Sequence, residues 1–192
     1  MRSVVVYESH HGNTRLIAEA IAEGLGGAPA LTVGEAGDRA RGAGLVVVGG
    51  PTRVHTRAAR NGGRGGGATR LQARSDDELG LWEWLRDLPR GDGAYAAAFD
   101  TRLDKPRWFT GDAAQSIARR LAGHGYEVLG AQSFLVELAE GPLRDGERDR
   151  ARAFGERLSL MASPAVEIGS SGRRAPRARS ARRRGLRSAP GG

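Results

Sequence analysis

The chain of 192 residues is long enough for one α/β domain with its own core, and it contains no cysteine. Disulfides, thiolate metal ligands and a cysteine nucleophile are therefore excluded, and no apolar stretch approaches the roughly 20 residues of a membrane span. The formal net charge of +8 comes from residues 170–192, which hold eight arginines and no acidic residue, whereas the residues before them are neutral overall. We expect a cytoplasmic protein, because one arginine and then a strand pattern stand where a signal peptide would be.

Short apolar runs alternate along the chain with amphipathic stretches. Strands are predicted at residues 2–7, 30–33, 44–49, 94–99 and 126–137, and helices at residues 13–25, 77–88, 112–122 and 145–161. This order predicts an open parallel sheet with helices on both faces, in which ligands bind beyond the carboxyl ends of the strands. The residues expected to pack inward from the helices are Ile17, Ile21, Leu25, Leu81, Trp82, Trp84, Leu85, Leu88, Ile117, Ala118, Leu121, Ala122, Ala151, Phe154 and Leu158.

Two stretches lack this apolar periodicity. Residues 56–76 form a Gly/Arg-rich segment that we interpret as a flexible insertion or an active-site flap within a domain of residues 1–162. Residues 163–192 form an Arg-rich tail without aromatic residues, and we expect it to be disordered. The many Ala, Gly and Arg residues are typical of a GC-rich coding sequence, as in actinobacteria.

The stretch YESHHGNTRL at residues 7–16 leads directly from the first strand into the first helix. A helix start leaves backbone N–H groups unpaired and carries a partial positive charge, which together attract an anion. Gly12 allows a close approach, Ser9 and Thr14 supply hydroxyls, and Asn13 supplies an amide. A simple helix cap needs only one such residue, so we interpret the loop as a phosphate site, with capping as the alternative.

Other phosphate-binding loops do not fit this stretch. A Walker A loop needs a lysine, a Rossmann turn needs GxGxxG and a tyrosine-phosphatase loop needs a cysteine, and none of these is present here. The stretch YESHHGNTRLIAEAIAEGL instead resembles the phosphate loop, S/T-x-T-G-N-T, and first helix of flavodoxin-like proteins. LVVVGGPTRVH is similar to their second flavin loop, and AAFDTR stands where the third would be.

The resemblance covers residues 2 to about 160 and implies a doubly wound, five-stranded parallel sheet in the flavodoxin-like order 2-1-3-4-5, with FMN as cofactor. It implies that the first loop holds the phosphate, with Thr14 donating its hydroxyl, while the second loop lies along one edge of the isoalloxazine and the third approaches it. His11 departs from the family pattern, in which a threonine is usual, and its imidazole could replace the lost donor or stack near the ribityl chain. The implied cofactor-binding residues are Ser9, His10, His11, Gly12, Asn13, Thr14, Pro51, Thr52, Arg53, Val54, Asp100, Thr101 and Arg102.

The resemblance implies electron transfer or a flavin-dependent oxidoreductase, with a redox protein or a small-molecule acceptor such as a quinone as partner. Arg53 and Arg102 would raise the flavin potential, because a nearby cation favours the anionic reduced ring. The alternative function is a scaffold without flavin that binds nucleic acid through the Arg-rich tail. Glu8, His10 and His11 make a poor metal site, since adjacent histidines rarely point at one ion and no third ligand is evident.

Overall fold

The computed structural model describes residues 1–52, 80–106, 111–138 and 140–163. The predicted insertion at residues 56–76, the tail beyond residue 163, and two of the predicted site residues, Arg53 and Val54, lie outside this part of the chain. None of the helices in the described part is long and apolar enough to cross a membrane.

The described residues form one parallel sheet of five strands. The strands hydrogen-bond in the order β2-β1-β3-β4-β5, which confirms the predicted order. The central strands are continuous apolar runs because helices cover both faces of the sheet. The strand bounds are β1 Ser3–Tyr7, β2 Ala30–Thr32, β3 Leu45–Pro51, β4 Tyr95–Leu103 and β5 Glu127–Val136.

Two layers of helices enclose the sheet. Helices α1 (Asn13–Gly24) and α5 (Glu147–Ala162) cover one face, and α2 (Val33–Ala36), α3 (Leu81–Asp87) and α4 (Ala113–Gly123) cover the other. Successive strand residues alternate between the two layers. The core between the sheet and helices α1 and α5 includes Val5, Val47, Ile17, Ile21, Phe99, Phe134, Phe154 and Leu158. The core on the other face includes Val4, Val6, Val46, Val48, Leu85, Ile117 and Leu121.

Most of the predicted inward residues are buried, and three are not. Trp82 is 42% exposed because its neighbour Leu81 begins the buried stripe of α3, which continues through Trp84, Leu85 and Leu88. Successive helix residues differ by about 100° in direction, so Trp82 points away from that stripe. Ala122 is exposed for the same reason, since it follows the buried Leu121 on α4, and Leu25 beyond the end of α1 is half-buried.

The structure also changes several element boundaries. Strand β3 continues to Pro51 and β4 to Leu103, so Pro51 and the polar residues Asp100, Thr101 and Arg102 belong to the sheet and not to loops. Val33, predicted as a strand residue, begins the short helix α2. Thr32 and Glu35 start this helix with reciprocal side-chain to backbone hydrogen bonds, a capping box.

Candidate functional site

A cleft of about 270 Å³ lies at the carboxyl ends of the strands. It is bounded by the loop after β1, the first residues of α1, and the ends of β3, β4 and β5. Eight of the predicted site residues line it, joined by two apolar residues that the sequence did not single out. The lining residues are His10, His11, Asn13, Thr14, Pro51, Thr52, Thr101, Arg102, Leu103 and Val136.

Gly12 gives the cleft an open helix N-terminus. It precedes α1 with φ 85°, a left-handed conformation that glycine adopts without strain, and a Cβ built there would meet nothing within 4 Å. The Ser9 hydroxyl accepts a long hydrogen bond of 3.3 Å from the Arg15 N–H. No hydrogen bond in the described residues takes up the N–H groups of Gly12, Asn13 and Thr14. The start of α1 therefore offers a set of backbone donors beside open space.

The side chains of Asn13 and Thr14 are bonded within the protein. Asn13 Nδ2 donates to the Gly141 carbonyl at 2.6 Å, which ties α1 to the segment between β5 and α5. Thr14 is only 2% exposed, and its hydroxyl lies 2.8 Å from that of Thr101 at the end of β4. Two hydroxyls that share one hydrogen bond retain one proton between them for another acceptor. The pair thus joins the first turn of α1 to the end of β4 and still supplies the cleft with a single hydroxyl donor.

His10 is held by a carboxylate from its own loop. Glu8 Oε1 lies 2.9 Å from His10 Nε2, and Glu8 Oε2 accepts the Leu81 N–H at 2.8 Å. The first loop is thereby connected to the start of α3. Within the described ranges, no group of three or more His, Asp or Glu side chains is arranged to hold a metal ion.

Asp100 is fully buried and does not line the cleft. Its Oδ2 accepts hydrogen bonds from the Thr52 hydroxyl and from the Ala114 N–H, both at 2.9 Å. Burial raises the pKa of the Asp100 carboxyl, and hydrogen bonds from Ala114, Ser133 and Thr52 oppose that rise only in part. Asp100 is therefore a buried hydrogen-bond partner of Thr52, which lines the cleft.

The charged side chains of the cleft wall are all basic or potentially basic. Arg102 Nη1 donates to the carbonyls of Leu103 and Lys105, at 3.3 and 2.7 Å, which holds the guanidinium at the end of β4. His10 and His11 belong to the loop before α1, and none of the ten lining residues is acidic. This distribution of charge suits an anionic ligand.

The sequence could not indicate most of these contacts, because the partners are far apart in the chain. Asn13 and Gly141 are separated by 128 residues, and Thr14 and Thr101 by 87. Leu103 and Val136 could have been predicted as part of the cleft wall. Both are apolar residues at the carboxyl ends of parallel strands, and this is where the ligand crevice of such a sheet lies.

Solved structures with the same architecture include flavodoxins and flavodiiron proteins. A flavodoxin from the domain Archaea has a TM-score of 0.57 and 18% identity, over 84% of this chain and 99% of its own. Flavodoxin 2 from Bacillus cereus has a TM-score of 0.54 and 16% identity, over 84% of this chain and 99% of its own. The flavodiiron protein from Giardia intestinalis has a TM-score of 0.57 and 19% identity, over 84% of this chain but 36% of its own.

No protein-family model and no curated protein matches the chain. The actinobacterial origin expected from composition is tested by none of these matches and stays a prediction. The strand order, the cleft at the carboxyl ends of the strands and the structural matches agree with one another. The chain therefore has the flavodoxin-like fold.

Proposed function

We propose that the chain binds FMN in this cleft and transfers electrons, either as a carrier or as a flavin-dependent oxidoreductase. The observation that carries the proposal is the open N-terminus of α1 beside a cleft whose ionisable lining residues are His10, His11 and Arg102. In the flavodoxin-like fold, this is the corner at which the resemblance of the first loop puts the phosphate.

The residues present fit a phosphate at this corner. Three backbone N–H groups and the partial charge of the helix start favour an anion, and Gly12 leaves the approach open. His11 stands where the family has a threonine, and its imidazole, when protonated, supplies a cation in place of the missing hydroxyl. The phosphate would thus be held mainly by main-chain donors and imidazole, with one hydroxyl from the Thr14–Thr101 pair.

Bound FMN would supply the redox chemistry, and the protein would set its access and potential. Arg102, fixed by two carbonyls at the end of β4, favours negative charge in the cleft. A potential above that of ordinary flavodoxins follows, because those proteins surround the ring with acidic residues. The acceptor would be a redox protein or a small molecule such as a quinone, and Arg53 and Val54 would complete the ring site.

The test is a titration of the purified protein with FMN and with riboflavin, followed by flavin fluorescence and visible absorbance. FMN should bind more tightly than riboflavin, since a hydrogen bond to a charged group is worth about 1.5–3 kcal/mol. Gly12→Asp places a carboxylate against the phosphate and should weaken FMN binding by at least about tenfold, with a smaller effect on riboflavin.

Gly146→Asp is the matched control for the backbone strain of this change. Gly146 also precedes a helix in the left-handed conformation, with φ 78°, but it does not line the cleft. Its variant should bind both flavins like the wild type. Failure of the wild type to bind either flavin at micromolar protein would refute the proposal. Equal affinity for the two flavins would refute the role of the first loop.

A further inference from the structure

The Thr52 side chain lines the cleft, and its hydroxyl proton points away from it. Thr52 Oγ1 donates to Asp100 Oδ2 at 2.9 Å, and its backbone N–H donates to the Thr101 carbonyl at 2.8 Å. Both donors of this residue are therefore used within the protein. A threonine hydroxyl has one proton and two lone pairs, so the oxygen that remains can only accept.

The direction of this hydrogen bond is set by the surroundings of Asp100. Oδ2 also accepts the Ala114 N–H at 2.9 Å, near the N-terminus of α4, where the partial positive charge favours a carboxylate. Protonation of the carboxyl would occur at Oδ1, which has no hydrogen bond of good geometry in the described part of the chain. Oδ2 stays an acceptor in either state, so the Thr52 proton remains directed at Asp100.

We infer that Asp100 is a positioning residue that makes Thr52 a fixed hydrogen-bond acceptor in the cleft wall. At this point the cleft selects a ligand that presents an N–H or O–H group and disfavours one that presents a carbonyl or a bare nitrogen. The Thr14–Thr101 pair differs, because it keeps a proton to donate. The two hydroxyl sites of the cleft thus differ, because Thr52 can only accept whereas the pair can also donate, and this difference orients an asymmetric ligand.

The inference rests on the proposed function for the identity of the ligand. The isoalloxazine ring of a flavin carries one N–H, at N3, when oxidised, and a second, at N5, in the anionic reduced state. An acceptor-only Thr52 suits either group and does not suit the C4 carbonyl oxygen between them. The pair formed by Asp100 and Thr52 therefore contributes to flavin orientation, or to preference for the reduced flavin, according to which N–H faces it.

One arm of the test needs no ligand. The Thr52 hydroxyl proton should give a slowly exchanging NMR signal in the full chain, identified by its loss in Thr52→Val. Asp100→Ala should move or abolish this signal, because it removes the acceptor of the Thr52 proton, whereas Asp100→Asn should keep it, since its amide oxygen can accept from Ala114 and Thr52 as Oδ2 does. Rapid exchange in the wild type, or a signal unchanged by Asp100→Ala, would overturn the inference even if flavin binds.

The second arm compares riboflavin and 3-methylriboflavin, which lacks the N3 hydrogen, in the oxidised and reduced states. Thr52→Val should weaken binding about three- to tenfold where the matching N–H is present, Asp100→Ala should act in the same direction, and Thr52→Ser should have little effect. A penalty in both redox states that 3-methylation removes identifies N3–H, and a penalty confined to reduced flavin identifies N5–H. Thermal unfolding of each variant ensures that the folded protein is compared.

The outcomes separate the two proposals. If Thr52→Val binds every flavin like the wild type, or if Thr52→Ser is as weak as Thr52→Val, the assigned polarity is wrong, whereas FMN binding itself stands. If the wild type binds no flavin, the proposed function fails, and the hydroxyl signal alone decides whether Asp100 fixes the polarity of Thr52.

Discussion

An alanine at Gly155 should strongly destabilise the contact between α1 and α5. A Cβ at Gly155 would lie 2.2 Å from the Ile21 carbonyl oxygen and 3.1 Å from the Cα of Gly24. A Cβ at Gly24 would lie 2.1 Å from the Arg152 carbonyl oxygen. Because these obstacles are helix backbone and not flexible side chain, the helices would have to separate by about 1 Å to restore ordinary contact distances.

The expected size of the effect follows from two opposing contributions. Overpacking of a well-packed core costs about 1–3 kcal/mol, and a backbone obstacle puts this site at the upper end of that range. The better helix propensity of alanine returns about 0.8–1 kcal/mol. The net loss is about 2 kcal/mol in the free energy of unfolding, or roughly 4–8 °C in Tm for a chain of this size.

Urea unfolding followed by circular dichroism measures this loss, and Gly123→Ala is the matched control. Gly123 is the last residue of α4, and a Cβ there would meet nothing within 4 Å. Its alanine variant should gain up to about 1 kcal/mol. If Gly155→Ala were as stable as the wild type while Gly123→Ala behaved as expected, α1 and α5 would not be in close backbone contact.

Three further predictions concern the carboxylate, the first helix and the tail. Burial raises the pKa of the Asp100 carboxyl in the folded protein. The contribution of this group to the free energy of unfolding is therefore fully present below the ordinary pKa of aspartate, near 4, and is lost as the pH rises through the pKa of the folded protein. Between about pH 4 and pH 8, the free energy of unfolding measured with urea should therefore rise for Asp100→Asn relative to the wild type as the pH rises. A difference that stays constant with pH would contradict this. Asn13→Ala should lower the free energy of unfolding by about 1 kcal/mol and speed amide exchange in residues 140–146, and unchanged exchange there would argue against the Asn13–Gly141 bond. A chain ending at Ser163, just after α5, should keep its Tm within a few degrees, whereas loss of cooperative unfolding would assign the tail a role in folding.

The fold was predictable from the sequence because its signals are local. Val4, Val5 and Val6 make a run that fits a strand buried on both faces, and the spacing of Ile17 and Ile21 fits a helix packed on one side. Strand order came from the resemblance of the loops. The short helix α2 carries a visible signal, Thr32 followed three residues later by Glu35, which was missed because Val33 continues an apolar run.

The polar contacts of the cleft were not predictable, because each depends on the register of distant strands. Asp100 and Thr101 lie at the end of β4 opposite Gly50 and Pro51 of β3, and only this alignment puts Thr52 within reach of the Asp100 carboxylate. Nothing in the sequence distinguishes a buried supporting aspartate from one that faces a ligand. The close crossing at Gly24 and Gly155 has no local signal either, since an isolated glycine in a helix has several explanations.

These contacts change how the first loop would work. The sequence predicts that the loop holds a phosphate with both its side chains and the backbone N–H groups of the helix start, yet here the Asn13 amide is bonded to Gly141 and the Thr14 hydroxyl to Thr101. The side chains therefore fix the geometry of the loop, and the backbone N–H groups at the start of α1 are left to meet the anion. Such donors keep their orientation without any rearrangement when a ligand arrives, because the helix itself holds them. Under the proposed function, a loop with His11 in place of the usual threonine would in this way still hold a phosphate, and a protonated His11 would add charge where the resemblance implies a hydroxyl.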